Sequence, residues 1–251
     1  MRTPVRALAV GALSLSILLS ACGGGEEQAT KEATETPTSG GQAIPVASLT
    51  ELKSFRYSIT MHIEIPGLED ELFPGFAALL SDVEIRGASV APDKSEMQMT
   101  LGESGQVMGA VVIGERTWFS SGEEWTETPN RASDVSLLSP EKVSGSVIDE
   151  EAFAGAKPTK EKLNGVDALH YTANQSGLGS LRELLGVAEP ENDVPVETRM
   201  DLWLTEDGGY PVRVLIDVRG TDAEGREMSI HLEMNVTDLN DPGIEIEPPH
   251  S

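Results

Sequence analysis

Ser139 and Lys142 come nearest in this chain to a catalytic spacing. A serine three residues before a lysine can be a nucleophile beside its base. Here Pro140 occupies the second position and the companion motifs are missing, so the spacing reads as chance. No G-x-S-x-G, H-E-x-x-H, P-loop or G-x-G-x-x-G occurs. The four histidines are scattered: His62 and His231 fall on polar strand faces, and His250 is in the tail. No two of the four have metal-ligand spacing. The acid-rich turn from Asp238 to Asp241 lacks the spacing of a calcium loop. The expectation is a protein that is not an enzyme, with no metal site and no cofactor.

Cys22 is the one residue with an assignable chemistry. It is the only cysteine in 251 residues. Arg2 and Arg6 precede an apolar stretch from Ala7 to Leu19, which Gly11, Ser14 and Ser16 interrupt. A bilayer-crossing helix needs about 20 apolar residues, and this stretch is shorter. A positive start before a short apolar run is the pattern of a secretory signal. Leu19-Ser20-Ala21-Cys22 resembles the bacterial lipobox, whose cysteine is lipidated and becomes the new N-terminus. That resemblance implies a diacylglycerol on Cys22, a stable anchor where a single chain would hold weakly. Residues 1–21 are then the signal peptide, and the protein is extracytoplasmic, held on the outer face of the cell membrane.

Charge and length bound the partners. Removing residues 1–21 takes two of the 18 basic residues and none of the 42 acids, so the net charge moves from −24 to −26. Nucleic-acid binding requires neutralised phosphates, and this balance argues against it. No internal disulfide can form, so the fold rests on its own core, which a chain this long can build. Residues 22–44 are rich in Gly, Thr and Glu without apolar periodicity, and read as a disordered tether. Twenty such residues reach roughly 25 Å.

Residues 45–251 read as one domain of strands. Phe55, Tyr57, Ile59, Met61, Ile63 and Ile65 alternate with Arg56, Ser58, Thr60, His62 and Glu64. This is a strand with one wet face. Met97, Met99 and Leu101 repeat the pattern. Two further strands flank the hairpin signal at Gly114-Glu115-Arg116, and Trp125 follows the next turn. Met200 to Leu204, Val212 to Val218 and Met228 to Val236 predict a three-strand meander. Short helices are expected near 48–54, between Val135 and Ala156, and over 177–187, where Leu178, Leu181, Leu184 and Leu185 share a face. Residues 67–83 read as an apolar insertion capping the core or forming a lid. Seven methionines lie beyond Met1, all in segments read as strands. Methionine fills cores, and it also suits surfaces that adapt to varied apolar ligands.

Residues 111–127, 163–173 and 200–218 together resemble the LolA/LolB lipoprotein-carrier superfamily, in particular its LppX/LprA/LprF/LprG-type lipoproteins. The resemblance implies an α+β fold, a strongly curved antiparallel half-barrel sheet with a few helices over its concave face. It implies lipid acyl chains bound in an apolar cavity, and a lipid, glycolipid or lipoprotein carrier or chaperone of the cell envelope. No catalytic residues come with it. The residues expected to line the cavity are Tyr57, Ile59, Met61, Met97, Met99, Leu202 and Met228. The partners expected are lipids or lipidated molecules, with an envelope protein as a further possibility, and the chain is expected to be a monomer. The alternative is a non-catalytic envelope sensor or scaffold, which predicts a filled core.

Overall fold

The structure is a computed structural model that describes residues 44–66, 81–102, 105–122, 124–129, 139–148, 150, 152–176, 196–221 and 224–249. Its centre is one antiparallel sheet of eleven strands. In chain order these are β1 (Ser54–Glu64), β2 (Asp82–Val90), β3 (Lys94–Leu101), β4 (Gln106–Ile113), β5 (Arg116–Ser121), β6 (Trp125–Pro129), β7 (Thr159–Leu163), β8 (Val166–Ser176), β9 (Val196–Thr205), β10 (Pro211–Thr221) and β11 (Glu227–Thr237). The spatial order is β6-β5-β4-β3-β2-β1-β11-β10-β9-β8-β7. Two sequential meanders are therefore joined where the first strand pairs with the last. The sheet is not closed, because β6 and β7 stand at opposite edges. Residues 130–158 connect those two edges, and they include the helix α1 (Pro140–Val147).

Local signals account for the strand ends. Gly114 supplies the positive φ, 59°, that the β4–β5 turn requires. Asn164 and Gly165 both have positive φ, the conformation of a type I′ hairpin, and they set the β7–β8 pairing. Ser139 caps α1: its side chain accepts from the Lys142 N–H, and Pro140 takes the first helical turn, where its missing N–H costs nothing. The serine and lysine that share a catalytic spacing thus meet as a helix cap.

Alternation in β1 places Phe55, Tyr57, Ile59, Met61 and Ile63 on one face. Register carries that face across the sheet. Tyr171, Leu202, Val214, Met234, Ile59, Ile85, Met99 and Met108 stand side by side on eight successive strands. Leu49 of a short 3-10 turn (Leu49–Glu51), Leu52, Val143 of α1 and Phe153 join the same core. Burying each such side chain contributes about 1.5–3 kcal/mol.

Two expectations change. The segment 149–156 was expected to be helical, but its described part is a turn: the Ala156 N–H bonds to the Phe153 carbonyl, and Gly155 at φ 80° ends it. The face opposite the core is also less wet than alternation predicts. Ile244 and Ile246, beyond the last strand, are buried with Ala88, Val111 and Trp118. A second small cluster there holds Ala168, Trp203 and Val212. The lipobox, residues 22–43 of the tether, residues 67–80 of the insertion and the expected helix at 177–187 lie outside the described residues, while Ile44, expected to end the tether, is buried in the core.

Candidate ligand-binding face

All seven expected lining residues lie on one face of the sheet. Ile59, Met99 and Leu202 belong to the single cross-strand row described above. Tyr57 and Met97 flank Gly87 in the next row, Met61 lies beyond Ile59 on β1, and Met228 pairs with Gly220. Their burial differs. Ile59, Leu202, Met61 and Tyr57 are buried among core side chains, whereas Met97, Met99 and Met228 are half-buried against the core. Coverage falls along the row toward β4: Leu202, Met234 and Ile85 are inaccessible, Met99 is partly open, and Met108 is 38 % exposed. Phe119, which pairs with Ala110 on the same face, is also half-buried. The apolar face is thus packed at its middle and open toward β3, β4 and β5.

Tyr57 sits at the border of these regions. Its ring lies over Gly87, where a Cβ would come within 2.6 Å of the ring. Glycine there lets the ring lie down on the sheet. Burial pushes the Tyr57 phenol well above its ordinary value of 10, and the charges of Glu141 and Glu96 push it further. It is a neutral hydroxyl across the physiological range. A cavity of about 280 Å³ adjoins it, bounded by Met97, Val112, Lys94 and Ser95 from the sheet and by Ser139, Pro140 and Glu141 at the start of α1. This pairs apolar walls with a few polar groups, the usual composition of a small-molecule site.

The opposite face carries the titratable groups. His170 stacks on Trp203 with ring centroids 4.1 Å apart and planes 7° from parallel. The Arg213 guanidinium lies 5.0 Å from the Trp203 ring centroid. Register explains the sandwich, since His170 and Arg213 are the direct cross-strand neighbours of Trp203. The Asp201 side chain is only 2 % exposed. It accepts from Thr172 Oγ1 at 2.6 Å and Arg199 Nε at 2.8 Å, and His170 Nε2 lies 2.9 Å away. Burial pushes its carboxyl up, and the bonds from Arg199, Thr172 and His170 together outweigh this and hold it below the ordinary 3.8. Glu161 on the edge strand β7 accepts from Trp203 Nε1 at 3.1 Å and meets His170 Nδ1 at 2.9 Å; those two contacts hold its carboxyl low. The network fastens β7 to β8 and β9.

His62 and His231 are direct partners across the β1–β11 seam. Each meets its own acid: His62 Nδ1 lies 2.9 Å from Asp82 and His231 Nδ1 lies 2.8 Å from Asp217. Hydrogen bonds to Asp82 and Glu64 raise the His62 pKa above 6.5. Among the described residues no three His, Cys, Asp or Glu side chains are grouped to hold a metal ion, and no helix is long and apolar enough to cross a membrane. Met108, Phe119 and Gly87 are not among the residues expected to line the site, although Met108 is one of the seven methionines in segments read as strands. The first two extend the β4 and β5 alternation, a signal that was present; the role of Gly87 depends on its being opposite Tyr57.

No family model matches the chain, and no curated protein matches it. Several solved structures are similar to it. One is LprF from Mycobacterium bovis, at 10 % identity over 80 % of this chain and 91 % of that chain, with a TM-score of 0.39. Another is a LolA superfamily protein from Nitrosomonas europaea, at 10 % identity over 75 % of this chain and 86 % of that chain, with a TM-score of 0.27. Both belong to the group that segments 111–127, 163–173 and 200–218 resemble. At this identity the likeness is one of fold alone, and at these TM-scores it lends no weight to a function.

Proposed function

We propose that the chain is an extracytoplasmic lipoprotein, anchored through Cys22, that binds lipid acyl chains on the apolar face of a curved half-barrel sheet and carries them within the cell envelope. The observation that carries this reading is the open part of that face. Met97, Met99, Met108 and Phe119 leave a flexible, polarisable apolar surface partly exposed beside a cavity, on a sheet that is otherwise well packed. Acyl chains laid there gain about 25 cal/mol for each Å² removed from water. Tyr57, Met97 and Met99 are the contacts at the open end; Ile59, Met61, Leu202 and Met228 support them from the core. The role is non-catalytic, since binding and release need no bond to be made.

A second reading is favoured by one observation. Ile59, Met61 and Leu202 are tightly packed, as in a filled core, and a filled core suits a scaffold or sensor that binds another envelope protein. Native mass spectrometry of the protein from its own host membranes, without detergent, separates the two. Extra mass that organic extraction removes is the expected result, and its loss in M97E/M99E places it on this face. A bare mass, with no uptake of added phospholipid, overturns the carrier reading.

A further inference from the structure

The face opposite the methionines holds a second groove, of about 500 Å³. One cross-strand row crosses it, from Asn235 on β11 through Ser58, Arg86 and Gln98 to Trp125 on β6. Gly109 shapes its far end: the six-membered ring of Trp125 lies where a Gly109 side chain would stand, with a Cβ coming within 2.6 Å. The indole thus lies close to the sheet at the end of a row of amide, guanidinium and hydroxyl groups. Neighbouring strands are about 4.8 Å apart, close to the length of one pyranose unit.

We infer that this groove binds a short, uncharged oligosaccharide. The inference does not depend on the acyl-binding reading: Arg86, Gln98, Trp125 and Asn235 line this groove and not the cavity beside the methionines, although Tyr57 and Met97 border both. The groove sets the apolar surface of Trp125 and Val111 among the polar side chains of Arg86, Gln98, Glu96 and Asn235, a mixture that the methionine face lacks. A phosphorylated or sulfated ligand fits poorly. Arg86 is already paired with Glu84 and Arg56 with Asp238, Glu96 adds a negative charge to the wall, and the chain carries a net −24. A neutral sugar matches what remains. Its C–H face packs on an indole, and its hydroxyls both donate to and accept from planar side chains such as those of Gln98, Asn235 and Arg86. The volume lies within the ~300–1,000 Å³ of small-molecule sites.

The test uses the full chain, kept in solution with a detergent that has no sugar headgroup. Maltohexaose and α-1,6-mannohexaose are titrated separately by calorimetry, with saturation-transfer NMR to identify the contacting protons. Saturable binding of one hexasaccharide is expected. Trp125→Ala should weaken it about tenfold or more, a loss of about 1.4 kcal/mol. If Trp125→Ala does not fold, Gln98→Ala and Arg86→Ala carry the test, each with a severalfold loss. Met99→Glu, on the methionine face and outside the groove, should leave sugar binding unchanged, so failure of the lipid reading and failure of this one are distinguishable. No saturation by either sugar up to about 10 mM, or binding that survives all three groove substitutions, overturns the proposal.

Discussion

Asp201→Ala tests whether the polar network on β7, β8 and β9 holds that side of the sheet together. The carboxylate is buried and engages three side chains. Arg199 is 59 % exposed and returns to water on mutation, so its contact contributes little. Thr172 and His170 lose a charged acceptor, each hydrogen bond being worth about 1.5–3 kcal/mol. The desolvation cost of the carboxylate is recovered, which offsets part of that loss. The expected net destabilisation is about 2–3 kcal/mol, or about 5–10 °C in Tm for a domain of this size. Urea unfolding should show a lower midpoint with an unchanged slope, since β8 and β9 stay paired. Asp201→Asn separates charge from shape. The folded pKa of Asp201 lies below its unfolded 3.8, so its contribution is present above 3.8 and is lost as pH falls through the folded value. The gap between wild type and Asp201→Asn should therefore close in acid. A loss below about 0.5 kcal/mol at neutral pH, or a gap that is the same in acid, would refute the reasoning.

Gly87→Ala should destabilise by about 1–3 kcal/mol, because the new Cβ would sit 2.3 Å from the Glu96 carbonyl oxygen as well as against the Tyr57 ring. A thermal melt checks this, and Tyr57→Ala in the same chain should relieve only part of the loss. Replacing Ile244 and Ile246 together by serine should uncover Trp118, giving red-shifted tryptophan emission and a loss of about 2–5 kcal/mol. By NMR, His62 should titrate with a midpoint above 6.5, and Asp82→Asn should lower it. Because that pKa is raised on folding, the contact stabilises below 6.5 and its contribution disappears as pH rises through the folded midpoint. A midpoint at or below 6.5 would contradict the bonds to Asp82 and Glu64.

Strands with unbroken alternation were legible in the sequence. β1 has five apolar residues in strict period two, and the β9–β10–β11 meander has its turns marked by glycine. β2 was not read, because Gly87 and Ala88 interrupt its alternation, and the reason for that glycine stands on β1. The Asn164-Gly165 turn is a strong hairpin signal that was noticed only as part of a family resemblance. Ile244 and Ile246 alternate with glutamates in a stretch that reads as a polar terminus, though both are buried. The methionine face followed from period two. The His170–Trp203–Arg213 stack and the Trp125 groove did not, since each depends on register between strands far apart in sequence.

The pairing of the first strand with the last also governs how the chain can assemble. Every other neighbouring pair in the sheet is consecutive in sequence, so each meander can zip up locally. The seam cannot: Glu64 and Ser229, which meet across it, are 165 positions apart. Closing a loop of that length costs about 4–5 kcal/mol of chain entropy before any contact compensates for it. The seam should therefore form late, as two half-sheets dock, and folding should be slow for the size of the domain. A break in the link between Pro129 and Thr159 would leave two continuous meanders whose strands pair only along β1 and β11, and their recombination as separate fragments would report the strength of that seam together with the packing of Ile244 and Ile246 on Ala88, Val111 and Trp118.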